Sequence, residues 1–438
     1  MTQPPEQVSP SAVPAAAPPV AGRRAPASWP PTAVLPVDSQ IATLVGRVWR
    51  PGLGPSVVAV RNGELIDVTD TFPTVRDLTE SDNPAKALSE APGEPLGPVD
   101  AILANTPPET RDTTRPHLLA PVDLHVVKAA GVTFAASMLE RVIEERVRGD
   151  AGAAADARAD IHALIGTTTP RPGSPEAATL REVLVAEGRW SQYLEVGLGP
   201  DAEIFTKAPV LAAVGTAVDA GVRRDSTWNN PEPEVVLVVS SAGTIVGATL
   251  GNDVNLRDIE GRSALLLPQA KDNNASAALG PFVRLFDTGF TLDDVRAATV
   301  TLTVDGEDGY HLDGESSMTM ISRDPADLAA QLLSSHCYPD GAVLYLGTMF
   351  APTADRHSPG LGFTHDDGDV VTVASPRLGA LTNRIRPADA CEPWTFGIAD
   401  LMRTLTTRAA AAAVAADADA DAAAADRGPA AERSRGAL

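Results

Sequence analysis

Apolar and polar positions follow two rhythms along the chain. Short β-prone runs occupy 41–49 and 56–61, and Asn62-Gly63 is a hairpin turn leading into a third run at 64–68. Further runs follow at 235–239, 244–250, 298–304, 343–346 and 370–373, separated by Gly, Asp and Pro turns. Between the two groups the period changes. Met138, Leu139, Val142, Ile143 and Val147 recur at helical spacing with Glu and Arg between them. Pro170, Pro172 and Pro175 break that pattern, and it resumes over 176–188. The pattern predicts a β-rich α+β chain with a helical insert at about 140–195. The charged stretch 140–148 reads as a solvated face of that insert, with a lid or dimer contact as the alternative.

The ends stand outside the pattern. Residues 1–36 contain ten prolines, a composition that predicts a disordered arm. From Arg408 to Leu438, 16 of 31 residues are Ala, interrupted by Asp and lacking a wide apolar stripe. A flexible tail is therefore expected over 406–438, although Ala alone would favour helix. This leaves a small β-rich N-terminal subdomain at 37–120, whose 80–120 portion is Pro-rich connection, and a catalytic domain at 121–405.

A net charge of −22 argues against nucleic acid or an anionic membrane as partner, since both require a cationic face. Two cysteines are too few for a disulfide framework or thiolate zinc cluster. No apolar run reaches the ~18 residues of a membrane span, and no basic leader precedes an apolar stretch. These features lead us to expect a cytoplasmic protein. Seven histidines are scattered without metal-ligand spacing. Only His125, six residues before Gly131, is a candidate for a pocket.

The chemistry concentrates in residues 229–253. The runs around Ala242-Gly243 read as a hairpin; with those two residues as the loop, opposed positions sum to 485. Glu232 then faces Asp253, and Glu234 faces Gly251. Residues two apart on a strand share a face, so Glu232, Glu234 and Asp253 converge. Three clustered carboxylates repel unless a cation lies among them. Oxygen ligands suit a hard ion: Mg²⁺, with Mn²⁺ or Ca²⁺ as alternatives. A Glu-x-Glu by itself is more often a solvated strand end, so the surrounding sequence carries the argument.

That surrounding sequence comprises Pro231-Glu-Pro-Glu234, Gly251-Asn-Asp-Val-Asn-Leu-Arg-Asp-Ile-Glu-Gly261, Leu267-Pro-Gln-Ala-Lys271 and Glu203-Ile-Phe-Thr-Lys207-Ala208. With Gly131-Val-Thr-Phe134, Gly341–Thr348 and Leu378-Gly-Ala-Leu-Thr-Asn383, it resembles the fumarylacetoacetate hydrolase superfamily over about 121–390. It is most similar to the branch of 2-keto-3-deoxy sugar-acid dehydratases. The resemblance implies a mixed β-roll core, a homodimer and a small 2-oxo acid substrate. It implies Glu232, Glu234 and Asp253 as metal ligands, and Glu203 and Lys271 as the catalytic pair. Arg257, Thr348 and Lys207 are placed at the substrate.

A 2-oxo acid chelated to a divalent ion has an acidified C3 proton, which a carboxylate or lysine can remove. The resulting enolate can expel a C4 hydroxyl, which is dehydration. The same metal-stabilised enolate is the leaving group when water cleaves a diketo acid. The segment 131–137 lacks the His that the carbon–carbon hydrolases use there, which favours a Mg-dependent dehydratase over an acylpyruvate hydrolase. A catalytically silent metal-binding or assembly module is the third reading.

Overall fold

The structure is a computed structural model that describes residues 20–23, 29–154, 156–157 and 170–426, with side-chain placement ending at 414. Most of the arm expected over 1–36, the segment 158–169 and the end of the tail lie outside the described residues.

Two sheets carry the fold. The larger has eleven strands. Along its main path these are Glu94–Pro98, Glu64–Asp67, Gly54–Arg61, Leu44–Arg50, Ala277–Leu285, Ile245–Asp253, Pro233–Val239, Ala342–Tyr345, Val126–Gly131 and Glu203–Ala208, with His117–Leu119 added beside Leu44–Arg50. The smaller has six strands, in the order Val20–Arg23, Tyr310–Ser317, Thr299–Asp305, Val370–Ser375, Gly379–Pro387 and Asp219–Val222. Each contains a parallel pair within otherwise antiparallel pairing, so the sheets are mixed and neither is a closed barrel.

The central strand Pro233–Val239 explains its own sequence. Val235, Leu237 and Val239 enter the core shared with Val300, Leu302, Val371 and Val373 of the smaller sheet. Val236 and Val238 point the other way, toward Val45, Val57 and the helical residues Val75 and Leu78. A strand buried on both faces needs an unbroken apolar run, and Val-Val-Leu-Val-Val supplies it. The N-terminal strands are not a sheet of their own. Val45 pairs with Val283, so they extend the same large sheet that bears the carboxylates.

Three expectations need correction. Residues 80–120 are more ordered than their prolines suggested: Pro84–Glu90 and Val99–Ala104 are helices. Asn83 caps the first by accepting the Lys86 N–H, and Pro84 sits in the first turn, where its missing N–H costs nothing. The insert helix starts earlier than predicted, running Ala135–Val147 directly after the strand Val126–Gly131. Helix Ile398–Asp426 crosses the boundary drawn at 405/406, so the start of the expected flexible tail is docked. Leu401 is buried, and Arg408 donates to Pro55 O (3.1 Å) and Ser56 Oγ (2.8 Å).

Candidate metal centre and surrounding ionic network

Strand pairing brings the acidic residues together. Pro233 faces Asn252 and Glu234 faces Gly251, and the Asp253 N–H donates to Glu232 O at 3.0 Å. The turn is longer than two residues, since Ser240 N–H bonds Thr244 O. A bulge at Val238/Val239 then restores the sum of 485 near the acids. Glu232, Glu234 and Asp253 each offer an oxygen within 4.8 Å of the others, and all three are buried.

Lys271 comes from the short helix Leu267–Lys271 and bridges two of them, with Nζ 2.5 Å from Glu232 Oε2 and 3.0 Å from Asp253 Oδ2. Burial by itself would depress its ammonium, but Asp253 and Glu232 outweigh that and hold it above the ordinary lysine value. Burial would raise Glu232; Lys271 and Arg141 instead pull it down to about 2. Glu234 differs. Its partners are the uncharged Gly347 N–H (2.7 Å) and Thr348 hydroxyl (3.4 Å). Burial, then Asp253 and Glu232, push its carboxyl well above the usual range. A divalent ion among the three oxygens would supply the positive charge that Glu234 lacks, so the donor set fits a hard cation.

Glu203 lies at the start of the strand Glu203–Ala208 and pairs with Gly131 across the sheet. A Cβ on residue 131 would fall 2.0 Å from Glu203 Oε2, so this glycine makes room for the carboxylate. Burial, then Glu260, raises Glu203 to about 7. Lys207 is fully buried: Nζ lies 2.7 Å from Asp253 Oδ1 and donates to Lys271 O at 2.5 Å. Those contacts hold Asp253 and enclose the ammonium, which does not suit the substrate contact the resemblance implied for Lys207. Arg257 is also buried, with Nε on Asn230 Oδ1 (2.8 Å) and Glu144 Oε1 (3.2 Å) and the guanidinium 5.4 Å from the Trp228 ring. Neither of these partners is one of the three acids. His125 is used by the fold: its Nε2 meets Thr79 Oγ1 at 2.9 Å.

Sequence reasoning missed three members of this network: Arg141, Glu144 and Glu260. The helix Ala135–Val147 is not a solvated face at these positions. Arg141 is buried, with one guanidinium nitrogen on Glu232 and the other on Glu144 (2.7 Å) and Glu260 (2.8 Å). The spacing gave no signal: on a helical wheel Arg141 and Glu144 fall on the side away from Leu139, Val142, Ile143 and Val147, where a solvated face is expected.

Residues 227–386 match the family Fumarylacetoacetate (FAA) hydrolase C-terminal. Among curated relatives, the chain is 31% identical over 187 residues to the 2-dehydro-3-deoxy-D-arabinonate dehydratase of Saccharolobus solfataricus, covering 42% of this chain and 58% of that protein. It is 31% identical over 193 residues to a probable 2-keto-3-deoxyxylonate dehydratase of Haloferax volcanii, covering 44% and 63%. The match therefore spans about three-fifths of these relatives' own length. The fold is similar to that of 2-keto-3-deoxyarabinonate dehydratase, with a TM-score of 0.54 and 21% identity over 78% of this chain and 99% of the other. It is also similar to a structure of that enzyme complexed with magnesium and 2,5-dioxopentanoate, with a TM-score of 0.52 and 20% identity over the same shares.

Proposed function

We propose that the protein is a Mg²⁺-dependent dehydratase of a 2-keto-3-deoxy sugar acid. The observation that carries this reading is the convergence of Glu232, Glu234 and Asp253 beside Lys271. The similarity to two sugar-acid dehydratases supports the same chemistry. A divalent ion held by the three carboxylates would chelate the 2-oxo acid and acidify its C3 proton.

The chain's own groups supply the rest. Glu203, raised to about 7, is poised to take a proton near neutral pH, which suits removal of the C3 proton. The Lys271 ammonium, kept charged by its carboxylate neighbours, would stabilise negative charge developing on the keto oxygen. Electrons from the broken C3–H bond form the C3–C4 double bond as the C4 hydroxyl departs with a proton as water. For a pentonate, a proton then leaves C5 and one returns to C3, which moves the double bond to C4–C5 as an enol, and that enol tautomerises to a C5 aldehyde. Thr348 and Gly347 orient Glu234, and Lys207 holds Asp253.

Incubation with Mg²⁺ and a 2-keto-3-deoxypentonate should yield an aldehyde and consume the substrate. Turnover of diketo acids alone would instead identify a carbon–carbon hydrolase. Metal binding without turnover of either class would identify a silent module.

A further inference from the structure

The insert helix reaches the acidic cluster through Arg141. Arg141 spans the gap, with Glu232 on one guanidinium nitrogen and Glu144 and Glu260 on the other. Glu144 continues the chain of contacts to Arg257 at 3.2 Å. All of these groups are buried. A planar guanidinium held at two nitrogens fixes the plane of the carboxylate it meets, which a flexible ammonium does not. Arg141 occupies Glu232 Oε1, which leaves Oε2 directed toward Lys271 and the other acids.

The backbone around this contact is built for close approach. The helix ends on Arg148 at φ 52° and Gly149 at φ 77°, and the next segment runs against residues 257–261. A Cβ on Gly149 would lie 2.7 Å from Asp258 O, and one on Gly261 would lie 2.9 Å from Glu144 O. The docked helix end and the block bearing Arg257 and Glu260 therefore meet backbone to backbone. Moving the helix would carry Arg141 away from Glu232 and leave Glu260 without its guanidinium.

We propose that Arg141 is a positioning residue that couples docking of the insert helix Ala135–Val147 to divalent-cation binding: by fixing Glu232 it raises cation affinity, and an occupied cation site in turn holds the helix down. The proposal rests on Glu232, Glu234 and Asp253 being the cation ligands. Coupling of this kind is reciprocal, so each side can be read from the other.

The test is a Mn²⁺ titration of the full chain by calorimetry and electron paramagnetic resonance, with hydrogen exchange of residues 135–147 measured with and without Mn²⁺. In the wild type, Mn²⁺ should slow exchange across the helix. Arg141→Met should weaken Mn²⁺ binding by about 10- to 100-fold, the range for loss of a group that orients a metal ligand. It should also change the resonance line shape of the bound ion at saturation and abolish the Mn²⁺ effect on exchange. Arg141→Lys should recover part of the affinity. If Arg141→Met does not fold, Glu260→Gln loosens the guanidinium without touching Glu232 and should weaken binding by a smaller factor. Unchanged Mn²⁺ affinity in a folded Arg141→Met, or in Glu260→Gln where that variant replaces it, would overturn the proposal. So would helix exchange in the wild type that ignores Mn²⁺. Failure of the wild type to bind Mn²⁺ would overturn this coupling and the ligand assignment together. Coupling without turnover of any keto acid would sink the proposed reaction and leave the role of Arg141 standing.

Discussion

Two ionic clusters in this molecule set buried carboxylates among cationic groups to opposite ends. Around Arg356, the guanidinium meets Asp369 at 2.5 and 2.8 Å, Asp366 at 3.2 Å and Asp308 at 3.3 Å, and His365 Nδ1 lies 3.0 Å from Asp369. Burial would raise Asp369, but His365 and Arg356 together hold it below the ordinary value. In the candidate metal centre, Glu234 and Glu203 are instead pushed up, by burial and by other carboxylates. In the first cluster the buried carboxylate of Asp369 is met directly by a guanidinium and an imidazole nitrogen. The other keeps acids whose charge is incompletely met, which is the condition for taking up a cation or a proton.

The contrast can be broken at several points. The largest effect is expected from Asp253→Asn, which should cut Mg²⁺ affinity and turnover together by at least about 100-fold, beyond the loss typical of an outer partner. Retained affinity by calorimetry would remove Asp253 from the ligand set. Lys271→Ala should leave a folded, metal-binding protein with kcat reduced by about 10²- to 10³-fold; steady-state kinetics with the metal isotherm separates the two outcomes. Arg356→Met should do the reverse. It should cost about 3 kcal/mol in a urea melt, since it strands buried Asp369, while Mn²⁺ affinity stays unchanged.

A smaller effect concerns pH. Glu203 has its folded value raised from 4.5 to about 7, so the native state holds more protons than the unfolded state between those values. Stability of the metal-free protein should therefore fall as pH rises through that window, and Glu203→Gln should flatten the dependence. A melt series from pH 4.5 to 7.5 checks the sign. The smallest effect is expected at Arg408→Ala, which removes hydrogen bonds to Pro55 and Ser56 and should cost about 1 kcal/mol.

The hairpin was legible in the sequence because its evidence is local. An apolar run buried on both faces and a Gly-containing turn set the register that brings Glu232 and Asp253 together. The longer turn and the bulge offset each other, so a simplified hairpin still gave the right pairing. The ionic network was not legible because it depends on a meeting across long sequence separation. Charge at helical spacing on 140–148 identifies a helix face but not what covers it, and here Glu232 and Glu260 cover it. Lys207 makes the same point: its motif puts a cation near the site, while the contacts of that cation with Asp253 and Lys271 O come from the fold. The tail helix shows the limit of composition, which described the Ala run but not the docking of Leu401 and Arg408.

The central claim is that one divalent cation sits among Glu232, Glu234 and Asp253. Anomalous diffraction from crystals grown with Mn²⁺ tests it most directly. The account predicts a single strong peak ligated by an oxygen from each of the three side chains, with Lys271 moved off at least one of them. A peak elsewhere, or none at a concentration that saturates binding in solution, would contradict it.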